Sequence, residues 1–141
     1  MTLWVLGLDQ LTKHTVGTSI AAGDTKTLVP GVLHLVHVRN SGVAFGFLGN
    51  GGAIVYALEA VALVALVGYL MIRPQRPWLW IPTGMLVGGA VGNLIDRIAL
   101  GSVIDFIKLP DWPAFNVADI SITFGVVVLV LVLEAGREKP S

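Results

Sequence analysis

The chain has 141 residues, 55% of them hydrophobic and 13% charged, with a mean hydropathy of +0.81. This is far more apolar than one soluble core of that length requires, so the composition is that of a membrane protein. A formal net charge of zero excludes the basic surface that holds nucleic acid by counterion release, and the absence of cysteine excludes disulfides, thiolate metal sites and a thiol nucleophile.

The pattern predicts a single integral-membrane domain over residues 1–141, with four transmembrane helices and a small extracytoplasmic β-rich segment between helices 1 and 2. The first span covers about residues 2–21 and carries Asp9 and Lys13 in its middle. Four residues apart on a helix, these two lie on one face and are expected to pair and turn inward as a structural polar pair. A signal peptide would place positive charge first, then an unbroken apolar stretch and a small-residue cleavage site, an order missing here. The span is short at its front end, as an upstream start would explain.

Residues 22–50 form the first outward segment. Within it, "TLVPGVLHLVHVRNSGVAFGFLGN" opens on a Pro-Gly turn and continues in Val, Leu and His. This predicts strands lying against the membrane surface, followed by an interfacial turn or helix. The second span, 51–72, is interrupted only by Glu59, and the third covers 78–96. Segment 97–114 again faces outward, and the fourth span covers 115–134. At 1.5 Å per residue, roughly 20 residues match the hydrocarbon thickness of a bilayer. The run "GGAVG" in the third span suits a close helix contact better than a phosphate loop. Arg73 and Arg76 in "RPQRP", with Arg137 and Lys139 in "GREKP", set both loops and hence both termini on the cytoplasmic side.

Polar groups at membrane depth are costly, so those present need a partner or a function. Asn93, Asp96 and Arg97 in "GNLIDRI" share one helix face, and taken alone they read as a helix end with an internal ion pair. Asn116 and Asp119 in "FNVADI" have the spacing of a capping box. Asp105 in "SVIDFI" suits a loop carboxylate paired with Lys108. Taken together, however, Asp96, Asp105 and Asp119 all belong to the outer interface and can approach one another. Two close carboxylates share a proton, and one ionised and one protonated Asp can activate water and polarise a peptide carbonyl. Local pattern leaves open whether Asp96 or Asp105 partners Asp119. His34 and His37 are a weak metal pair, on opposite faces of a strand, and no metal site is expected. Ser41, Ser102 and Ser121 lack the setting of a nucleophile. A small proton- or cation-coupled transporter subunit is the competing reading, although the polar residues gather at one interface and no broken-helix repeat is evident.

"LDQLTK", "RNSGVAFGF", "GNLIDRI", "VIDFI" and "FNVADI" occur in the order and context found in lipoprotein signal peptidase, or signal peptidase II, and the chain resembles that family from Leu8 to about Glu134. The resemblance implies an aspartyl endopeptidase of the bacterial cytoplasmic (inner) membrane. Its substrate would be a prolipoprotein bearing diacylglyceryl-cysteine, cut just before that residue, and it would work without a cofactor as a monomer among membrane lipids. The family's catalytic pair matches Asp105 and Asp119. Asp96 then falls to a supporting role, holding backbone amides or Arg97. Asn40, Gly42 and Phe45 would lie over the site, holding substrate backbone and covering the lipid. Asn93, Arg97, Asn116 and Ala118 would orient the dyad and the substrate, with Asp9 and Lys13 bracing the first helix from below.

Overall fold

The computed structural model describes residues 1–42 and 78–135, together with positions 61, 64, 66–69 and 72, which are helical. The described elements, in chain order, are α1 (Thr2–Ser19), β1 (Thr25–Val29), β2 (Leu33–Asn40), α2 (Trp80–Leu100), β3 (Val103–Lys108) and α3 (Val117–Ala135). Phe45, Glu59, most of the expected span 51–72, and the cationic positions 73, 76, 137 and 139 lie outside the described residues.

The three helices are inverted relative to those of a soluble protein. Their outward faces carry Leu3, Trp4, Leu8 and Leu11 on α1, Ile98 on α2, and Phe124, Val127 and Leu131 on α3, all exposed. Asp9, Lys13, Asn93 and Asp96 are buried between them. Apolar outside and paired polar inside is the arrangement hydrocarbon favours. Half-buried Thr12 and exposed Thr15 and Thr18 donate their hydroxyls to carbonyls one turn back in α1, so they leave no polar hydrogen unpaired there. Among the described residues one helix, Val117–Ala135, is by itself both long and apolar enough to cross a membrane, with a mean hydropathy of 2.3. In α1 the charged pair, and in α2 the glycines with Asn93, Asp96 and Arg97, dilute the apolar character.

Glycine sets how closely the helices approach. A Cβ at Gly84 would strike Met1, one at Gly88 would meet Val5 Cβ at 2.8 Å, and one at Gly92 would lie 2.5 Å from Asp9 Oδ2. These residues are four apart on α2 and meet successive turns of α1 in the same direction, so α1 and α2 run parallel. On the other side Gly89 faces Ala118 and Gly125 faces Leu86, so α3 runs antiparallel to α2. The "GGAVG" run is thus a two-sided helix contact.

The sheet is antiparallel with order β1-β2-β3. The Pro30–Gly31 turn, with Gly31 at φ +72, joins β1 to β2. The sequence pattern confines the strands to residues 22–50; the third strand comes instead from Val103–Lys108, a segment expected to be loop. The reason is pairing. Val103 and Asp105 sit opposite Asn40 and Val38, and Phe106 and Ile107 exchange backbone bonds with Phe115 at the entrance to α3. α2 also runs past its expected end at residue 96 to Leu100, where Gly101 at φ +69 terminates it and donates its amide to Arg97 O. Val16, Ile20 and Phe106, with Leu35 and Val117 against them, pack the sheet onto the C-terminal end of α1 and the start of α3.

Candidate active site

Asn116 is the hub of the site. It is fully buried at the N-terminus of α3. Its Oδ1 accepts from Asp119 N at 2.9 Å while Asp119 Oδ2 accepts from Asn116 N at 3.1 Å, the reciprocal geometry of a capping box. Asn116 Nδ2 then donates to Asp105 Oδ1 at 2.8 Å. One capping residue therefore holds both carboxylates, so the capping box of "FNVADI" and a neighbouring carboxylate occur together. The second oxygen of Asp105 accepts from Asn40 Nδ2 at 3.0 Å, and Asn40 Oδ1 accepts from Gly42 N at 3.0 Å. Gly42 has φ +74, a conformation side-chain-bearing residues rarely adopt, so the tight turn that orients Asn40 uses a glycine. Asp119 Oδ1 accepts from Asn93 Nδ2 at 3.0 Å.

Beneath the pair lies an ion cluster. Lys13, 2% exposed, contacts Asp9 Oδ2 at 2.8 Å and Asp96 Oδ2 at 2.9 Å, and donates to Asn93 Oδ1 at 2.9 Å. Asp9 also accepts from Ala118 N at 2.9 Å, which fixes the start of α3. Asp96 accepts from Ile104 N at 3.2 Å, one residue before Asp105, and from Gln10 Nε2 at 3.1 Å. Its oxygens are thus committed to Lys13, Gln10 and the β3 backbone. Burying these charges is tolerable because each has an opposite charge and further hydrogen bonds.

Asp105 is 3% exposed and sits in β3, so it is a strand carboxylate facing Asn40 and Asn116, while Lys108 donates to Trp112 O. Burial pushes its carboxyl from 3.8 up to about 6; the Asp119 charge adds to the rise, against the lowering by the Asn40 and Asn116 bonds and by Lys13. The folded protein therefore holds this proton more tightly than the unfolded chain does. Its stabilising contribution is fully present below about pH 4 and is lost as pH rises through about 6, amounting to at most about 3 kcal/mol. Thermal melting in detergent is expected to show wild-type stability falling across that window, and Asp105→Asn flattening the fall. An equal fall in the variant would assign the effect to other groups.

The structure thus brings Asn40, Gly42, Asn93, Asp105, Asn116, Ala118 and Asp119 together, with Asp9, Lys13 and Asp96 directly below. Arg97 follows in the last turn of α2. His34, half-buried on the central strand, bonds Thr27 of β1, and buried His37 bonds Ile20 O through Nδ1, so the two do not converge. Sequence reading misses Gln10, which ties Asp9 and Asp96 to Gly92 O. Its place beside Asp9 in "LDQLTK" is the signal that could have found it. Also missed is a groove of about 230 Å³ running from Asp119 along α3, lined by Trp112, Phe115, Ile120, Thr123 and Phe124. Those aromatics come from two segments and converge only in space.

The family described as signal peptidase (SPase) II matches residues 1–134. The chain is 39% identical over 141 residues to the lipoprotein signal peptidase of Moorella thermoacetica, covering 98% of this chain and 94% of that one. It is 44% identical over 138 residues to that of Symbiobacterium thermophilum, covering 94% and 90%. Among solved structures, it is similar to a bacterial membrane enzyme determined by the in meso method at 1.9 Å, with a TM-score of 0.83 and 34% identity over 94% of this chain and 88% of that one. A second such structure, at 2.3 Å, gives a TM-score of 0.84 with 32% identity, over 99% and 90%.

Proposed function

This chain belongs to the signal peptidase II family, an aspartic peptidase of the bacterial membrane that removes signal peptides from prolipoproteins, and on that premise we propose that Asp105 and Asp119 are its catalytic dyad. The observation that carries the reading is Asn116, which donates to Asp105 and forms a capping box with Asp119. Fixed by one side chain, the two carboxyl groups share a proton: burial and the Asp119 charge favour retaining one proton on the pair at a pH where isolated carboxyls have lost theirs. A water held between them gives a proton to the ionised carboxylate as its oxygen bonds to the scissile carbonyl carbon, and the protonated carboxyl delivers its proton to the carbonyl oxygen. Collapse of the tetrahedral intermediate breaks the C–N bond, and the nitrogen leaves with a proton returned from the dyad. Activity in this scheme needs neither metal nor organic cofactor.

The substrate proposed is a prolipoprotein already carrying diacylglyceryl on its lipobox cysteine, cut immediately before it. The groove along α3 opens from Asp119 towards exposed Phe124 on the lipid-facing side, which supports sideways entry with the acyl chains left in the bilayer. Four spans are proposed, with both termini cytoplasmic, the dyad near the outer face, and the chain working as a monomer. Parallel α1 and α2 support this: a chain that leaves α1 at the sheet end and enters α2 at the opposite end crosses once between them, and the apolar stretch 51–72 has the length to do so. Trp78 and Trp80 at the start of α2 and Trp112 near the opposite, sheet end, all exposed, fit the two aromatic belts of a membrane protein.

Purified protein in detergent is expected to cut a diacylglyceryl-modified prolipoprotein and to leave the same precursor uncut when its cysteine is unmodified, read as a mobility shift with the new N-terminus identified by mass. Equal rates on both would remove the lipid requirement; cleavage at another bond would remove the proposed specificity.

A further inference from the structure

The ion cluster beneath the dyad reaches Asp119 through the side chain of Asn93. Lys13 Nζ has three hydrogens and no lone pair, and its neighbours are Asp9 Oδ2, Asp96 Oδ2 and Asn93 Oδ1. Since an ammonium group can only donate, Asn93 must offer its oxygen to Lys13, as it also does to Asn116 Nδ2 at 3.1 Å, and its amide cannot be turned over. Its Nδ2 is thereby aimed at Asp119 Oδ1, 3.0 Å away. The other Asp119 oxygen accepts from Asn116 N, a backbone amide that likewise can only donate. Asp119 also lies in the first turn of α3, where the helix dipole favours negative charge.

Asp105 is held differently. Both its donors are side-chain amides, and one of them, Asn40, is exposed and oriented only by the Gly42 turn. Asp105 lies in a strand and so has no helix terminus behind it. The two carboxyl groups are therefore unequal, and the inequality traces back through Asn93 to the buried ammonium of Lys13, with Asn116 Nδ2 as a second, longer donor to the same oxygen.

We propose that Lys13 is a positioning residue of the reaction: by fixing the Asn93 amide it selects Asp119 as the carboxylate that takes the proton from water and leaves Asp105 as the acid. This rests on the dyad reading above and deepens it. Among the described residues, the charged groups around the relay are Asp9 on α1, Asp96 and Arg97 on α2, Asp105 on β3 and Asp119 on α3, so the test keeps the local charge balance where it can.

The test compares pH profiles of kcat and kcat/KM on diacylglyceryl prolipoprotein for wild type, Lys13→Arg, the double variant Lys13→Met with Asp96→Asn, and Asn93→Asp. The double variant removes one charge of each sign and replaces Lys13 by a side chain of similar length that cannot donate. Asn93→Asp leaves the Lys13 ion pairs in place and carries the test if the double variant does not fold. The acid limb of kcat/KM is expected to move up by about one pH unit in both, with kcat down about 100-fold and KM within about twofold, since a lost donor to one dyad member alters protonation and not substrate contact. Lys13→Arg, which still only donates, is expected to keep the wild-type limb. Folded variants with an unmoved acid limb would overturn the proposal and leave Lys13 a structural residue. Turnover retained by a folded Asp119→Asn would instead overturn the dyad reading itself.

Discussion

Asp105→Asn and Asp119→Asn are each expected to fold and to lose at least about 10³-fold in kcat on diacylglyceryl prolipoprotein, because each removes either the acceptor for the water proton or the donor to the carbonyl oxygen. Each substitution keeps one of the carboxylate's two accepted hydrogen bonds and turns an amide NH2 towards the other donor, a local cost that the surrounding frame absorbs. Asn40 and Asn116 stay in place around position 105, and the Asn116 cap remains at position 119. Asp96→Asn is the informative control. Its carboxylate is occupied by Lys13, Gln10 and Ile104 N, and Lys13 keeps Asp9 when it is neutralised. The variant is therefore expected to melt earlier and to keep measurable turnover. A dead Asp96→Asn beside an active Asp105→Asn would make the pair Asp96 with Asp119.

Gly92→Val is expected to cost about 3–5 kcal/mol and to abolish cleavage without touching a catalytic group. The added Cβ would lie 2.5 Å from Asp9 Oδ2. Asp9 cannot yield cheaply: it is fully buried, pairs with Lys13 and caps the Ala118 amide. Displacing it strips a partner from a buried cation and loosens the start of α3, where Asp119 sits. Gly7→Ala serves as the comparison, since a Cβ there meets nothing within 4 Å and alanine favours the helix. Melting in detergent and cleavage measured on both variants separate the two cases. Similar melting of Gly92→Val and wild type would mean that the α1–α2 contact is looser than the geometry requires.

Relations within one element are legible in the amino-acid sequence itself. The four-residue spacing of Asp9 and Lys13 puts them on one face, and the three-residue spacing of Asn116 and Asp119 is that of a capping box. Five ordered motifs also carry the family resemblance, since each keeps chemistry-bearing residues in a fixed local frame. The same local logic fails at residues 103–108. "SVIDFI" reads as loop because nothing nearby announces its partner, and it becomes a strand only by pairing with β2, more than 60 residues earlier.

Sequence alone, then, determined that this is a membrane protein with polar residues gathered at one end of its helices, because composition and short periodicities act within a few turns of chain. It could not choose between Asp96 and Asp105, whose local settings look equally suitable. Tertiary structure gives them different partners: glycine-lined contacts bring α1 against α2, so Lys13 reaches Asp96, and strand register with the α3 cap turns Asp105 towards Asn116. Hydrogen bonds are satisfied across space, and their partners here lie as far apart in the chain as Lys13 and Asn93 or Asp9 and Ala118.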